Sequence, residues 1–286
     1  MGDSGMQFSF SQTYADASHA VKERFGPLVG VLAIFLVLQI AVTGLMVVTS
    51  GTSFLTGAAL MSGEPQASMG IGFWLLYAVQ IFVSMAGMAA LCIMASLLRT
   101  ASIGDAIGDG FRSALTLLAA LLVVIVGAGI IGLVLSLAIG GSIMASQSGG
   151  FVFLGMLVLF GLFAWLFTKL SLTLPIIAVD GERNPLAAMA RSWSLTSGHA
   201  LKIFFVWFVF WVALFAVFMV IGFALAGTMA SVMGGGGAPG VGTFVILGLV
   251  YLAVVVAINL YLSALVAAVH AQLAGPNAAG YTETFA

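Results

Sequence analysis

The amino-acid sequence predicts an all-α membrane protein with six transmembrane helices. Three observations predict it. Hydrophobic residues make up 62% of the chain and charged residues 6%. Mean hydropathy is +1.24. The apolar residues fall into six runs, each long enough to cross a bilayer. A soluble domain carries about 25% charged residues, and 286 residues with so few charges could not cover a water-facing surface. Spans of about 20 apolar residues must be helical in lipid, because a helix satisfies its own backbone hydrogen bonds.

The expected spans cover about residues 27–48, 72–97, 115–138, 151–174, 203–227 and 244–268. The connections alternate in character. Segments 1–26, 98–114 and 179–202 carry charge, whereas 49–71, 139–150 and 228–243 hold no Lys or Arg. Lys22 and Arg24 precede the first span; Arg99 and Arg112 follow the second; Arg183, Arg191 and Lys202 follow the fourth; Lys169 lies near the same end of the fourth. All eight basic residues therefore fall on one side. Positive residues stay cytoplasmic during insertion, so the expected topology is a multi-pass membrane protein with both termini inside. The first 24 residues include Asp3, Asp16 and Glu23 and lack the apolar core of a secretory signal. Residues 1–275 read as a single membrane domain and 276–286 as a disordered tail. The Gly-, Ser- and Met-rich uncharged loops read as flexible.

Each charged segment carries a short amphipathic stripe before a span: Tyr14, Ala17, Val21 and Phe25; Ile103, Ile107 and Phe111; Leu186, Met189 and Trp193. The spacing suggests three repeats of interfacial helix plus transmembrane hairpin, over 12–97, 101–178 and 184–271. The third interfacial helix has the clearest limits: Asn184 to cap it, Pro185 for its first position and Gly198 for its exit. Gly104, Gly108 and Gly110 weaken the middle one.

The stretch from Leu174 to Gly198, with Pro175, Arg191-Ser192-Trp193, Leu195-Thr196 and Gly198, resembles the signature region of a bacterial family. That family is the membrane domain associated with glycerophosphoryl diester phosphodiesterases, together with its stand-alone relatives. The six-span layout agrees. In fused relatives the phosphodiesterase is a separate soluble domain, and no part of this sequence is expected to supply it. The resemblance thus implies a fold and not an activity.

Ionisable or strongly polar groups within spans default to functional hypotheses. Lys169 and Asn259 are the two candidates for an intramembrane polar site. For Lys169 the plainer reading is snorkelling, or pairing with Asp105, Asp109 or Asp180; for Asn259, and for Gln39 and Gln80, it is a hydrogen bond that joins helices. Arg112, Arg183, Arg191, Trp193 and Lys202 are candidate interfacial lipid contacts. Small-residue ladders at Ala128, Gly132, Ser136 and Gly140, and at Gly222, Ala226 and Ala230, suit close helix packing within the chain, or a homo-oligomer seam. His19, His199 and His270 have no metal-site spacing, Cys92 reads as a small packed residue, and neither catalytic residues nor a cofactor is expected. Nothing in a net charge of -1 invites nucleic acid. The function expected is that of a non-catalytic scaffold, a module that binds membrane lipids or a protein partner; the alternative is a transporter or permeation protein for a small or lipid-like solute.

Overall fold

A computed structural model describes residues 8–50, 70–146, 149–233 and 241–274. Most of the uncharged loops and the C-terminal tail, for which flexibility or disorder is expected, lie outside these residues. The described residues form nine helices: α1 (Phe10–Glu23), α2 (Phe25–Ser50), α3 (Ile71–Ala95), α4 (Ile103–Ser146), α5 (Gly149–Leu170), α6 (Thr173–Ala178), α7 (Pro185–Thr196), α8 (Ala200–Met233) and α9 (Val241–Ala274). Six stretches are long and apolar enough to cross a membrane, the fourth being α5 and α6 together. The six-span, all-helical expectation is borne out.

Local chemistry explains the joints. Pro27 has no N–H and crowds the carbonyl four residues back, so α1 cannot run on into α2; the chain turns at Arg24. The exit of α7 is held open by Gly198 at φ 85°, and Asn184 accepts from the N–H groups of Leu186 and Ala187 at its start, as the sequence predicts. The middle amphipathic stripe behaves differently. It opens with a capping box, Ser102 Oγ accepting from the Asp105 N–H at 3.2 Å and donating to its carboxylate at 2.6 Å. With neither proline nor positive-φ glycine after it, it continues without a break into the third span. At 44 residues α4 is about 66 Å long, twice the roughly 30 Å hydrocarbon core. The separate interfacial helix thus exists in the first and third segments and not in the second. The aromatic that closes each stripe also differs in setting: Phe25 is exposed, Phe111 packs against Phe35 and Phe82, and Trp193 meets Trp165 edge-on.

Burial is concentrated toward the charged end. Leu28, Val31 and Phe35 of α2 are buried, as are residues 89–95 of α3, Ala106, Ala114 and Leu117 of α4, and Ile203, Val206 and Trp207 of α8. The final turns of α9, from Ala264 to His270, join them. Toward the other end the same helices present exposed Val48, Ile71, Leu133, Phe223 and Leu249. The spans therefore pack as a bundle over the charged-end half and leave much of the rest facing outward.

Helices α3 and α4 approach each other closely at Gly110. A Cβ added at Gly110 would stand 2.6 Å from the Ala86 carbonyl oxygen and 2.9 Å from Ala90 Cβ. Gly87 is similarly covered by the Phe35 ring at 3.1 Å. Gly110, which weakens a helix by propensity, is thus required by packing. The sequence ladders fare otherwise: Gly132 and Gly222 have nothing within 4 Å of a would-be Cβ, so at these positions they are not seams within the chain.

Gly110→Ala should lower the melting temperature of the detergent-purified protein, at a cost of about 1–3 kcal/mol from overpacking. Gly108→Ala, two residues away with open space around it, should be neutral or slightly stabilising. Equal melting temperatures for the two variants would contradict the tight crossing.

Candidate functional site

The site begins with a break in the fourth span. Pro175 cannot donate to the Ser171 carbonyl, and its ring crowds that position, so α5 ends at Leu170 and α6 starts afresh at Thr173. A break frees backbone carbonyls that need donors in apolar surroundings. The signature region supplies them. Ser192 Oγ, fully buried in α7, donates to the Lys169 carbonyl at 2.8 Å. Thr196 Oγ1 lies 3.4 Å from the same oxygen and 2.9 Å from the Ser192 carbonyl. Ser171 Oγ donates to the Thr168 carbonyl at 2.9 Å.

Beyond α6 the chain is clamped by Asp180. Its carboxylate accepts from Arg191 of α7 at 3.0 Å and lies 3.2 Å from Nε2 of the buried His270 of α9. Gly181, at φ 76°, makes the turn. A matching clamp holds the first joint: Arg24 Nη1 donates to the carbonyls of Met94 and Ser96, at 3.0 and 2.7 Å, which caps the end of α3. Helix α1 is tied to the third hairpin. Tyr14 donates to the Val206 carbonyl at 2.7 Å, and Gln272 bridges the Ser9 N–H and Asp16. Burial, with Tyr261 beside it, raises the Tyr14 pKa, so the hydroxyl remains a donor.

On the bundle side of the break lies a cavity of about 660 Å³, bounded by α3, α4, the α5–α6 break, α8 and α9. Its volume is that of a small-molecule site. The wall is apolar for the most part, with Phe163, Phe167, Leu121 and Val124 prominent. Its polar members are Ser171, Thr173, Trp207, Trp211, Asn259 and Ser263; among the described residues no charged side chain lines it. Two of these residues hold buried polar atoms without a partner, Thr173 Oγ1 and Trp207 Nε1. Threonine in a helix commonly bonds the carbonyl four residues back; for Thr173 that is Lys169, already taken by Ser192. Each such atom costs roughly 1–3 kcal/mol unless something meets it. A second cavity of about 210 Å³ lies among α2, α3 and α9, and Met88 and Asn259 line both.

The two intramembrane candidates are not brought together. Asn259 faces both cavities, and its Nδ2 donates within its own helix to the Val255 carbonyl at 2.8 Å rather than across to another. The helix-joining amide is Gln39, whose Nε2 reaches Ser84 Oγ at 3.4 Å. Lys169 does not line the larger cavity. Among the described residues it meets no aspartate: its side chain is buried, Nζ lies 3.3 Å from Ser197 Oγ at the end of α7, and the Trp193 ring sits 5.5 Å beneath it. The interfacial cations are engaged with the protein. Arg112 pairs with Asp109 at 3.2 Å, Arg191 with Asp180, Arg183 with Ser113 Oγ at 3.4 Å, and Lys202 with the Phe8 carbonyl at 3.3 Å. Sequence reasoning missed Thr173, Trp207 and the cavity; Pro175, immediately after the predicted fourth span, was the available signal for the break.

These features define a six-span helical membrane module with a broken fourth span and an apolar internal cavity. Residues 139–277 match the family model described as the membrane domain of glycerophosphoryl diester phosphodiesterase, and the resemblance read from Leu174 to Gly198 is borne out by that match. No curated protein and no solved structure matched the chain.

Ser192→Ala should destabilise the protein by about 1–3 kcal/mol, because the Lys169 carbonyl loses its best donor. Ser194→Ala, exposed on the same helix, should leave the melting temperature unchanged. A Ser192→Ala variant as stable as the Ser194→Ala control would remove Ser192 from this role.

Proposed function

We propose that this chain is a non-catalytic module of the bacterial inner membrane that binds a lipid-like molecule in its larger cavity. The observation that carries this reading is the cavity itself: drug-sized, apolar, and lined by no titratable carboxylate, imidazole or amine. A largely apolar cavity of this size suits an apolar or lipid-like guest. In this reading the purified protein hydrolyses no glycerophosphodiester. The interfacial cations serve mainly to hold the protein together, and Arg112, with an exposed side chain, is the one best disposed to add a weak contact with anionic lipid.

A second reading, permeation of a lipid-like solute, draws support from the interrupted fourth span, since broken helices at depth recur at transport sites. It also fits the sharing of Asn259 by two cavities. Transport would require the cavities to open alternately to the two leaflets.

Native mass spectrometry of the protein in nanodiscs tests the binding reading. Ala128 lines the cavity, and Ala128→Trp should fill it. Lipid retained through delipidation should fall at least about tenfold with the melting temperature held, a change of about 1.4 kcal/mol. Undiminished retention removes the cavity as the site. Vesicle-to-vesicle or leaflet-to-leaflet movement of a fluorescent lipid, lost in Ala128→Trp, would favour permeation.

The proposed orientation places both termini in the cytoplasm. Reporter fusions after residue 286 should be active only inside the cell, and fusions within 55–66 only outside. The reverse pattern would overturn it.

A further inference from the structure

We infer that the occupant of the larger cavity is an uncharged amphiphile, an apolar body that carries a hydroxyl or ester group, with that group held at Asn259. The inference rests on the cavity reading above and names its ligand class. Three observations lead to it.

The first is electrostatic. Among the described residues no charged side chain lines the cavity. A phosphate or carboxylate drawn inside would lose its water with no countercharge to replace it, which apolar surroundings penalise heavily. Lys169, the cation nearest the break, is turned to Ser197 and Trp193 instead.

The second is the hydrogen-bond inventory. Thr173 Oγ1 and Trp207 Nε1 are unmatched but wholly buried within the wall, so the groups left to meet an occupant are Asn259 and Ser263. Asn259 uses one N–H on Val255 and keeps its other N–H and its Oδ1. Ser263 donates to the Asn259 carbonyl at 2.8 Å and keeps acceptor capacity. The wall thus offers both donors and acceptors, without charge, over an otherwise apolar surface. A pure hydrocarbon would leave every one of these groups unmet. A hydroxyl or ester would meet several at once.

The third is depth. Asn259 lies eleven residues before His270, whose ring is at the Asp180 clamp. At 1.5 Å per residue this is about 16 Å along α9, near the middle of a hydrocarbon core about 30 Å thick. A phospholipid in its ordinary position keeps its headgroup at the interface. Only a lipid whose polar group is neutral enters the midplane readily.

The experiment uses the full chain in nanodiscs, with native mass spectrometry titrations of three probes: dioleoylglycerol, dioleoyl phosphatidic acid and squalene. The wild type should bind dioleoylglycerol at least about tenfold more tightly than either other probe. Asn259→Leu should reduce dioleoylglycerol binding to the level of squalene and leave squalene unchanged. If Asn259→Leu lowers the melting temperature, Ser263→Ala, which removes the hydroxyl's acceptor capacity from the wall, should weaken dioleoylglycerol selectively in the same way. Phosphatidic acid binding as well as dioleoylglycerol would overturn the inference, and so would a dioleoylglycerol preference that survives both variants. In those cases probe binding that Ala128→Trp still abolishes leaves the cavity reading standing. Binding of every probe that is indifferent to Ala128→Trp overturns both.

Discussion

The fold depends on one constraint: a backbone carbonyl freed at a helix end must find a donor even where the surroundings are apolar. At the charged end this chain meets the demand repeatedly from distant parts of its sequence. Arg24 caps the end of α3, and Ser192 caps the end of α5. Each of these bonds ties two segments together, and together with the Arg191–Asp180–His270 contact they gather the spans into one bundle. The cations that set the expected orientation are in the same stroke structural. That double role explains why they lie against protein groups rather than standing free for phosphates.

Lipid adds little to helix association, since acyl chains are as apolar as leucine, and packing must come from shape and polar contacts. This accounts for a bundle that is close only where shape allows. Gly110 lets α4 approach the α3 backbone, and Gly87 seats the Phe35 ring. Farther from the charged end, no comparable contact is present at Gly132 or Gly222. The cavity occupies the region where the tight crossing has been left behind and the fourth span has been displaced by its break. Pro175 and the hydroxyls of α7 are therefore connected to the cavity through one chain of cause. The proline breaks the helix, Ser192 takes the Lys169 carbonyl, and Thr173 is left on the wall with an unmatched hydroxyl.

The signature stretch from Leu174 to Gly198 thus has a structural meaning independent of any chemistry in a soluble partner domain. It contains the break, the Asp180 clamp and the capped helix that stabilises both. Arg191, Ser192 and Thr196 act on neighbouring backbone or carboxylate groups, while Trp193 covers Lys169 from the outer side.

By itself the sequence determined the solvent, the six spans, and the limits of α7, because these follow from local properties: run length, hydropathy, Asn184, Pro185 and Gly198. The same local signals separated α1 from α2 at Pro27 and, by their absence after Ser102, let α4 run on. The tertiary structure alone decided which polar side chains meet. Lys169 turned to Trp193 and Ser197, Asn259 turned to two cavities, and the apparent packing ladders lay open at Gly132 and Gly222. The reason is physical. In a soluble helix the apolar stripe marks the buried face, but a span in lipid is apolar all round. Its sequence therefore does not distinguish a face against lipid from one against protein, and the site emerges only when the helices are placed.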